Sequence, residues 1–404
     1  MANTVSYTEA RVLACGAVRP VGTETVPLED CWGRVLAEDL VSAFDVPAFD
    51  RSPYDGYAVR SADLTGASRE KPATLRVVEE IPAGSVPSRA LAPGEAAKIL
   101  TGAPMPEGAD AVVMFEKTEF TAESVTLFEP VRPGENVVRA GEDVRKGALL
   151  AAKGSVIDPG LLGTLAAQNK ASVEVFKRPR VGLLSTGSEL VPVGSGPAPG
   201  LITDSNRYTF SGALLALGCE PVPYGIAGDN IPAIRAALER ALSECDAVVT
   251  TGGVSVGDYD LTPAAMEEAG AEMLFSGCEI KPGMACAYGA AQGKLICALS
   301  GNPAASLTNF HLIARPALLK LCGRSRFEPE ELIFELAEAF TKPSPVTRVL
   351  RGRLDLSGGT ARIVFPHEQG NAVLSSTIGC DAMAVIPAGS GKLPAGTKLK
   401  GMLI

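Results

Sequence analysis

Apolar positions along this chain change their period several times, and each change marks a different kind of structure. Near the start, Ser6-Tyr7-Thr8-Glu9 has the form of a capping box, and Ala10, Leu13, Ala14 and Ala17 follow as an apolar stripe. A first helix is predicted there. Thr25–Leu28 and Val35–Val41 read as short extended or helical pieces. Phe44–Ala58, dense in Pro, Asp, Tyr and Gly with little periodicity, reads as a long loop, and long ordered loops tend to be functional. Between Thr74 and Val144 the pattern turns to short alternating strands such as Thr74–Val78, Ala96–Ile99, Ala111–Phe115 and Val125–Phe128, separated by Pro/Gly turns. This is a small β module inserted into something else. Pro159–Ala167 is predicted helical and expected to rejoin the first helix in space.

Past Lys177-Arg178-Pro179 strands and helices alternate. Strands are predicted at Val181–Ser185, Pro221–Ile226, Ala247–Thr251, Ala271–Ile280 and Leu295–Leu299. Helices are predicted at Thr203–Leu217, Ile231–Leu242, Pro263–Ala269 and Ala304–Leu321. Such alternation implies a mostly parallel sheet covered on both faces. From Ile333 onward the strands are short again (Val346–Leu354, Ala361–Val364, Ala382–Ile386), as in a β-barrel-like module. The fold class is thus multidomain α/β plus β: a central parallel-sheet α/β domain, an inserted small β domain and a C-terminal β-barrel-like domain. The expected divisions are 1–43 with 145–177, 44–144, 178–325 and 326–404.

Composition narrows the functional classes. With 404 residues, two to four domains are expected, and 46% hydrophobic with 21% charged residues is ordinary for a globular chain. The net charge of −9 argues against a nucleic-acid binder. No apolar run approaches 20 residues, and Met1-Ala2-Asn3-Thr4 lacks a signal-peptide pattern, so a soluble cytoplasmic protein away from membranes is expected. Nine scattered cysteines without a CxxC pair read as core thiols rather than disulfides or a zinc site. With only His311 and His367, a bound metal is expected to be a hard, oxygen-ligated one.

Three predicted strand ends open into loops rich in Gly and hydroxyls: Ser185–Glu189, Thr250–Asp258 and Ser300–Ser306, the last starting a helix. Ligands of open α/β sheets bind outside the carboxyl ends of the strands. Glycines let backbone N–H groups approach a phosphate, and a helix N-terminus adds a favourable dipole. Any one loop is equally well a tight turn; three together point to a phosphate-bearing ligand. Asp55, Asp143, Glu189, Asp204, Asp229, Asp258 and Asp260 lie in loops or at element ends. Asp204 reads first as a helix cap, Asp229 as a turn or cap residue, and Asp258 and Asp260 as solvated. Gathered around one cleft with a phosphate, such acids would need a divalent cation between them, and Mg²⁺ fits. Lys281, before Pro282-Gly283, is either a phosphate partner or a solvated strand-end charge.

Asp50–Ala58 looks like an S-x-x-D-G-Y-A signature, and seven further motifs follow in order. These are Leu100–Pro104, Gly141-Glu142-Asp143, Ser185–Leu190, Thr203–Asn206, Thr251–Gly257, Lys281-Pro282-Gly283 and Gly301-Asn302-Pro303. Together they resemble the molybdopterin molybdenumtransferase family, which includes bacterial MoeA and the gephyrin E-domain, over essentially the whole chain. The resemblance implies an elongated homodimer, with each site between the molybdopterin-binding α/β domain of one subunit and the inserted domain of the other. It also implies that molybdenum from molybdate enters adenylylated molybdopterin, with Mg²⁺-dependent release of AMP, and transient contact with a molybdopterin adenylyltransferase.

On that resemblance Gly252, Gly253, Ser255 and Asn302 line the pterin-phosphate site, with Thr186, Gly187, Asp204, Ser205, Asn206, Thr251, Gly301 and Pro303 also cofactor-binding. Glu189, Asp229 and Asp260 are similar to the family's essential acids, able to hold Mg²⁺ or position pterin amino groups, and Lys281 offers charge to phosphate or molybdate. Asp55, Thr101 and Asp143 close the cleft from the partner subunit. Two departures stand out: Met284 where many members carry a second Lys, and Ser300 where many carry Pro. They leave room for a cofactor-binding paralogue, or for another oxyanion such as tungstate.

Overall fold

The computed structural model describes residues 4–196, 198–255 and 260–404. The chain folds into two compact units, one of Asp39–Ala152 with Pro159–Ala171 and a larger one holding the rest. These divisions fall at other places than 43/44, 144/145 and 177/178. The helix Pro159–Ala167 belongs with the inserted segment rather than with the first helix.

The smaller unit is built on a six-stranded sheet in the order Ala111–Met114, Gly56–Val59, Glu95–Ile99, Ala73–Ile81, Ser124–Leu127, Thr118–Phe120. Gly56–Val59 lies at the end of the stretch expected to be a loop, yet it is an interior strand paired on both sides and buried at all four positions. A strand buried on both faces does not alternate, so periodicity is silent about it. Gly56 is required there: a Cβ would stand 2.1 Å from the Val113 carbonyl oxygen. Tyr57, Phe115 and Phe120 form an aromatic cluster with ring centroids 5.3–5.8 Å apart.

In the larger unit a six-stranded sheet runs Glu220–Ala227, Arg180–Thr186, Ala247–Thr251, Lys294–Leu299, Cys286–Ala291, Glu272–Ser276. The first four strands are parallel. Val181 and Leu183 bury into one core with Phe210 and Leu318, while Leu184 and Val248 bury into another with Ile234 and Leu238. This is the alternation expected of a sheet covered on both faces. Cys286–Ala291 departs from the expectation: it is antiparallel to both neighbours and closes a two-residue hairpin at Gln292-Gly293, both with positive φ. Its small residues carry no strand signal. The strand expected over Ala271–Ile280 is two pieces, Glu272–Ser276 and Ile280–Lys281.

The expected helix Ala304–Leu321 is also composite: α over Pro303–Asn309, π over Phe310–Ala314, α over Arg315–Leu321. Five strands from Leu332–Leu336 to Lys398–Leu403 close into the C-terminal barrel, and Ile280–Lys281 adds in parallel to the start of Thr347–Asp355. At the other end of the chain, Ser6 caps the helix Tyr7–Gly16 by accepting the Glu9 N–H at 3.2 Å. All nine cysteines are free thiols, eight of them buried.

Candidate active site

Four parallel strands end side by side, and their loops are tied to one another by short hydrogen bonds. The Gly252 N–H donates to the Leu299 carbonyl (2.9 Å), and the Thr262 hydroxyl donates to the Gly252 carbonyl (3.0 Å). Thr186 Oγ1 donates to the Thr251 carbonyl (3.3 Å), and Asn206 Nδ2 to the Gly301 carbonyl (2.9 Å). The glycines are needed for this closeness. Gly252 has φ +103° and a Cβ there would lie 2.2 Å from the Thr186 carbonyl oxygen. Gly253, at φ +63°, would meet the Thr262 hydroxyl at 2.5 Å.

The loops enclose a cleft of about 510 Å³. Thr186, Gly187 and Glu189 line one side, Thr251, Gly252, Gly253 and Ser255 the floor, and Asn206, Gly301 and Asn302 the other side. Asp229 and Asp260 also face it. A second chamber of about 500 Å³ shares Ser255, Ser300 and Asn302 with the first and continues to Lys281 and Met284. Lys281 further edges a hollow of about 350 Å³ with Lys342, Arg348 and His367. Ser255, Ser300 and Asn302 thus stand on the border of the two chambers, and Lys281 on that of the second chamber and the cationic hollow.

Glu189, Asp229 and Asp260 thus share one cleft, but no set of three or more His, Cys, Asp or Glu among the described residues is close enough to hold a metal by itself. Glu189 is exposed and folds back over Gly187. Asp229 Oδ2 accepts the Ser188 N–H (2.8 Å) while Ser188 Oγ accepts the Asp229 N–H (3.2 Å). The cap of the helix Ile231–Glu244 is Asn230, not Asp229. Hard oxygens spread this way suit Mg²⁺, which takes one or two carboxylates and completes its shell with phosphate and water.

Other expected residues stand elsewhere. Asp204 is buried behind the cleft, its Oδ1 accepting the Arg207 N–H (3.1 Å) as a cap does. Asp204, Ser205 and Pro303 are not among the residues lining the cleft. Asp204 Oδ2 and Asn206 Oδ1 are buried and without a partner among the described residues. The helix starting at Pro303 does not offer a phosphate its first-turn amides, as had been expected. The Ala304 and Ala305 N–H groups both donate to the Asn371 carbonyl (3.0 and 3.1 Å), and the Ser306 N–H to that of Asn302 (2.9 Å). Val256, Gly257 and Asp258 lie outside the described residues.

In the smaller unit the three inserted motifs converge. Ser52 is fully buried and trades backbone hydrogen bonds with Gly102 and Ala103, and Asp50 accepts from the Ala140 N–H (2.8 Å) and from Arg139 (2.6 Å). Asp55 Oδ1 accepts from both the Thr101 N–H (2.7 Å) and its hydroxyl (2.8 Å), which holds the Asp55 carboxyl below its usual range. Asp143 is exposed, its own N–H bound to the Val46 carbonyl (3.0 Å).

One residue of the larger unit has no sequence signal at all. Arg351, 1% exposed, donates to Thr308 Oγ1 (3.3 Å) and Ser376 Oγ (3.2 Å), and forms no ion pair among the described residues. Burial pulls its guanidinium below the ordinary arginine value. A buried cation without a carboxylate is costly, and it is a natural partner for an anion. Arg351 sits between Leu350 and Gly352 in a strand, where a charged residue ordinarily reads as solvent-facing.

Comparison with known proteins divides the chain into three consecutive regions. Residues 5–168 match the MoeA N-terminal region (domain I and II), 182–320 a probable molybdopterin binding domain, and 334–403 the MoeA C-terminal region (domain IV). A molybdopterin molybdenumtransferase of Bacillus subtilis (strain 168) is 37% identical over 388 residues, 95% of this chain and 90% of the relative. One from Staphylococcus aureus (strain Mu50) is 37% identical over 372 residues, 92% and 89% of the two chains. The crystal structure of a molybdopterin biosynthesis protein, moeA, from Pyrococcus horikoshii OT3 superposes with a TM-score of 0.86 at 32% identity, covering 100% of both chains.

Proposed function

The chain belongs to the molybdopterin molybdenumtransferase (MoeA) family, and from that premise we propose that it is a transferase of molybdenum cofactor biosynthesis that moves molybdenum from molybdate onto adenylylated molybdopterin. The observation that carries this reading is the groove formed by two adjoining chambers of about 510 and 500 Å³ with Ser255, Ser300 and Asn302 in the walls of both. Such a groove suits a substrate with a phosphate-bearing body and a second reactive end.

In this reading the backbone at Gly252 and Gly253 with Ser255 and Asn302 cradles the phosphate, because only glycines let the chain come so near. Thr186 and Asn206 hold neighbouring loops at fixed separation and so orient the bound pterin. Lys281, with Lys342 and Arg348 around the adjoining hollow, supplies the positive charge that molybdate requires. Mg²⁺, held by Asp229 and Asp260 with Glu189, would neutralise the pyrophosphate as AMP leaves. Asp55, Thr101 and Asp143 are proposed to complete the site from a second subunit of a homodimer. Pterin binding by 178–325, a second wall from 44–144, cytoplasmic residence and transient contact with a molybdopterin adenylyltransferase belong to the same proposal.

Met284, 50% exposed on the wall of the second chamber, favours a second reading. With an apolar thioether where a cation stands in many relatives, the chain would bind the pterin without turnover, or prefer another oxyanion such as tungstate. The test is incubation of purified protein with adenylylated molybdopterin, Mg²⁺ and molybdate or tungstate, following AMP and cofactor. Formation of neither product, with pterin still bound, would replace the transferase by the binding paralogue.

A further inference from the structure

Lys281 stands on a tight segment, Lys281-Pro282-Gly283-Met284, that borders the second chamber from end to end. Its two ends are tied down, by the Cys278 N–H donating to the Met284 carbonyl (2.9 Å) and by Lys281 pairing with Arg348, and its middle is held from the helix side. Gly283 has φ +103°, and a Cβ would meet the Ala305 carbonyl oxygen at 3.1 Å and Asn309 Cβ at 3.3 Å. The segment therefore rests directly on the helix that begins at Asn302-Pro303.

Asn309, 1% exposed, is the polar link between them. Its Nδ2 donates to the Gly283 carbonyl at 2.9 Å, and its Oδ1 accepts from the Tyr288 hydroxyl at 2.7 Å. Tyr288 is itself fully buried and stacked on Phe275 at 4.7 Å. The amide is thus held at both ends: Tyr288 fixes which way it faces, and the facing it fixes presents the donor to Gly283. Asn309 is also the last α-helical residue before the π segment Phe310–Ala314. A π turn re-aims side chains at such a junction. The preceding residue, Thr308, accepts from Arg351. Two consecutive side chains at the junction therefore hold the Gly283 carbonyl and the buried guanidinium of Arg351.

We infer that Asn309 is a positioning residue of the active site, setting the Lys281–Met284 segment against the Gly301-Asn302-Pro303 loop so that the oxyanion end and the phosphate end of the groove keep a fixed separation. The inference rests on the transferase reading for its kinetic consequence, but not for its structural one. Asn309 touches no substrate; it acts through the Gly283 carbonyl.

Two variants separate this role from mere packing. Asn309→Asp keeps the acceptor for Tyr288 and, once its carboxyl is ionised, removes the donor to Gly283, so it is read at high pH where the protonated acid no longer substitutes for the amide; Tyr288→Phe keeps the donor and frees the amide to turn. In full-length protein, exchange of the Cys278 N–H, whose bond to the Met284 carbonyl (2.9 Å) closes the segment, is expected to quicken at least about tenfold in Asn309→Asp and by a smaller factor in Tyr288→Phe. In turnover, Asn309→Asp is expected to raise KM for molybdate about tenfold with KM for adenylylated molybdopterin within about twofold. Unchanged exchange of the Cys278 N–H in both variants, or equal losses for both substrates, overturns the inference. If Asn309→Asp does not fold, Tyr288→Phe alone decides it by exchange. If wild-type protein turns over neither substrate, the transferase reading falls while the exchange result still judges the role of Asn309.

Discussion

Gly252→Ala is the sharpest test of the phosphate-cradling floor. A Cβ at this position would lie 2.2 Å from the Thr186 carbonyl oxygen and 2.6 Å from its hydroxyl, whereas ordinary contact begins at 3.4 Å. The oxygen belongs to Thr186, which ends the strand Arg180–Thr186 and is paired with Ala227, so the Gly252 loop yields by about 1 Å. The φ of +103° adds strain of about 1–3 kcal/mol for a residue with a side chain. A loss of about 2 kcal/mol corresponds to a fall in Tm of about 3–4 °C for the larger unit, at about 2.1 cal/mol/K per residue. A displacement of about 1 Å in the cradle costs on the order of a hundredfold in kcat/KM. Calorimetry and steady-state kinetics on Gly252→Ala read both. Gly301→Ala is the internal control: its nearest neighbour to a Cβ is the Gly252 Cα at 3.6 Å, and its φ is not in the left-handed region. It should keep Tm within about 1 °C. A Gly252→Ala enzyme with wild-type Tm and kcat/KM would refute the reasoning.

Arg351→Met removes a buried cation that has no carboxylate partner among the described residues, so Tm by calorimetry is expected to hold or rise; a clear fall would show that its bonds to Thr308 and Ser376 outweigh the cost of burying the charge. Met284→Lys adds an exposed cation to the second chamber and should tighten oxyanion binding about fivefold, from roughly 1 kcal/mol, with the gain shrinking as salt is added. Asp55 should titrate below its ordinary value of 3.8, and Thr101→Val should raise it toward that value, as followed by NMR. Because the folded pKa is depressed, the stabilisation is present above the unfolded pKa and is lost as pH falls through the folded value, so the variant's acid unfolding should begin at higher pH. Asp55→Ala and Asp260→Ala, each inactive alone, should give about a quarter of wild-type activity when mixed equally, since half the dimers are mixed and each of those keeps one intact site; no rescue would argue against a site shared between subunits.

Much of the α/β core could be read from the chain because its signals are local. Ala247–Thr251 is a run of buried β-formers, Ile231–Glu244 has a polar cap and helical spacing, and the glycines of the Gly252-Gly253 loop punctuate a strand end. The gathering of Thr186, Gly252 and Asn302 around one cleft follows from parallel strand order, which alternation of strand and helix already implies. What tertiary structure alone decided has non-local causes. Gly56–Val59 became an interior strand because two distant strands cover its edges, and no period marks a segment buried on both faces. The amides of Ala304 and Ala305 were taken by Asn371, and Arg351 was drawn into the interior beside Thr308 and Ser376, by residues tens of positions away in sequence. Sequence determines which groups can bond and where the chain can turn; which partner satisfies a buried donor depends on what the fold brings beside it, because a buried polar group takes the nearest available partner regardless of chain distance.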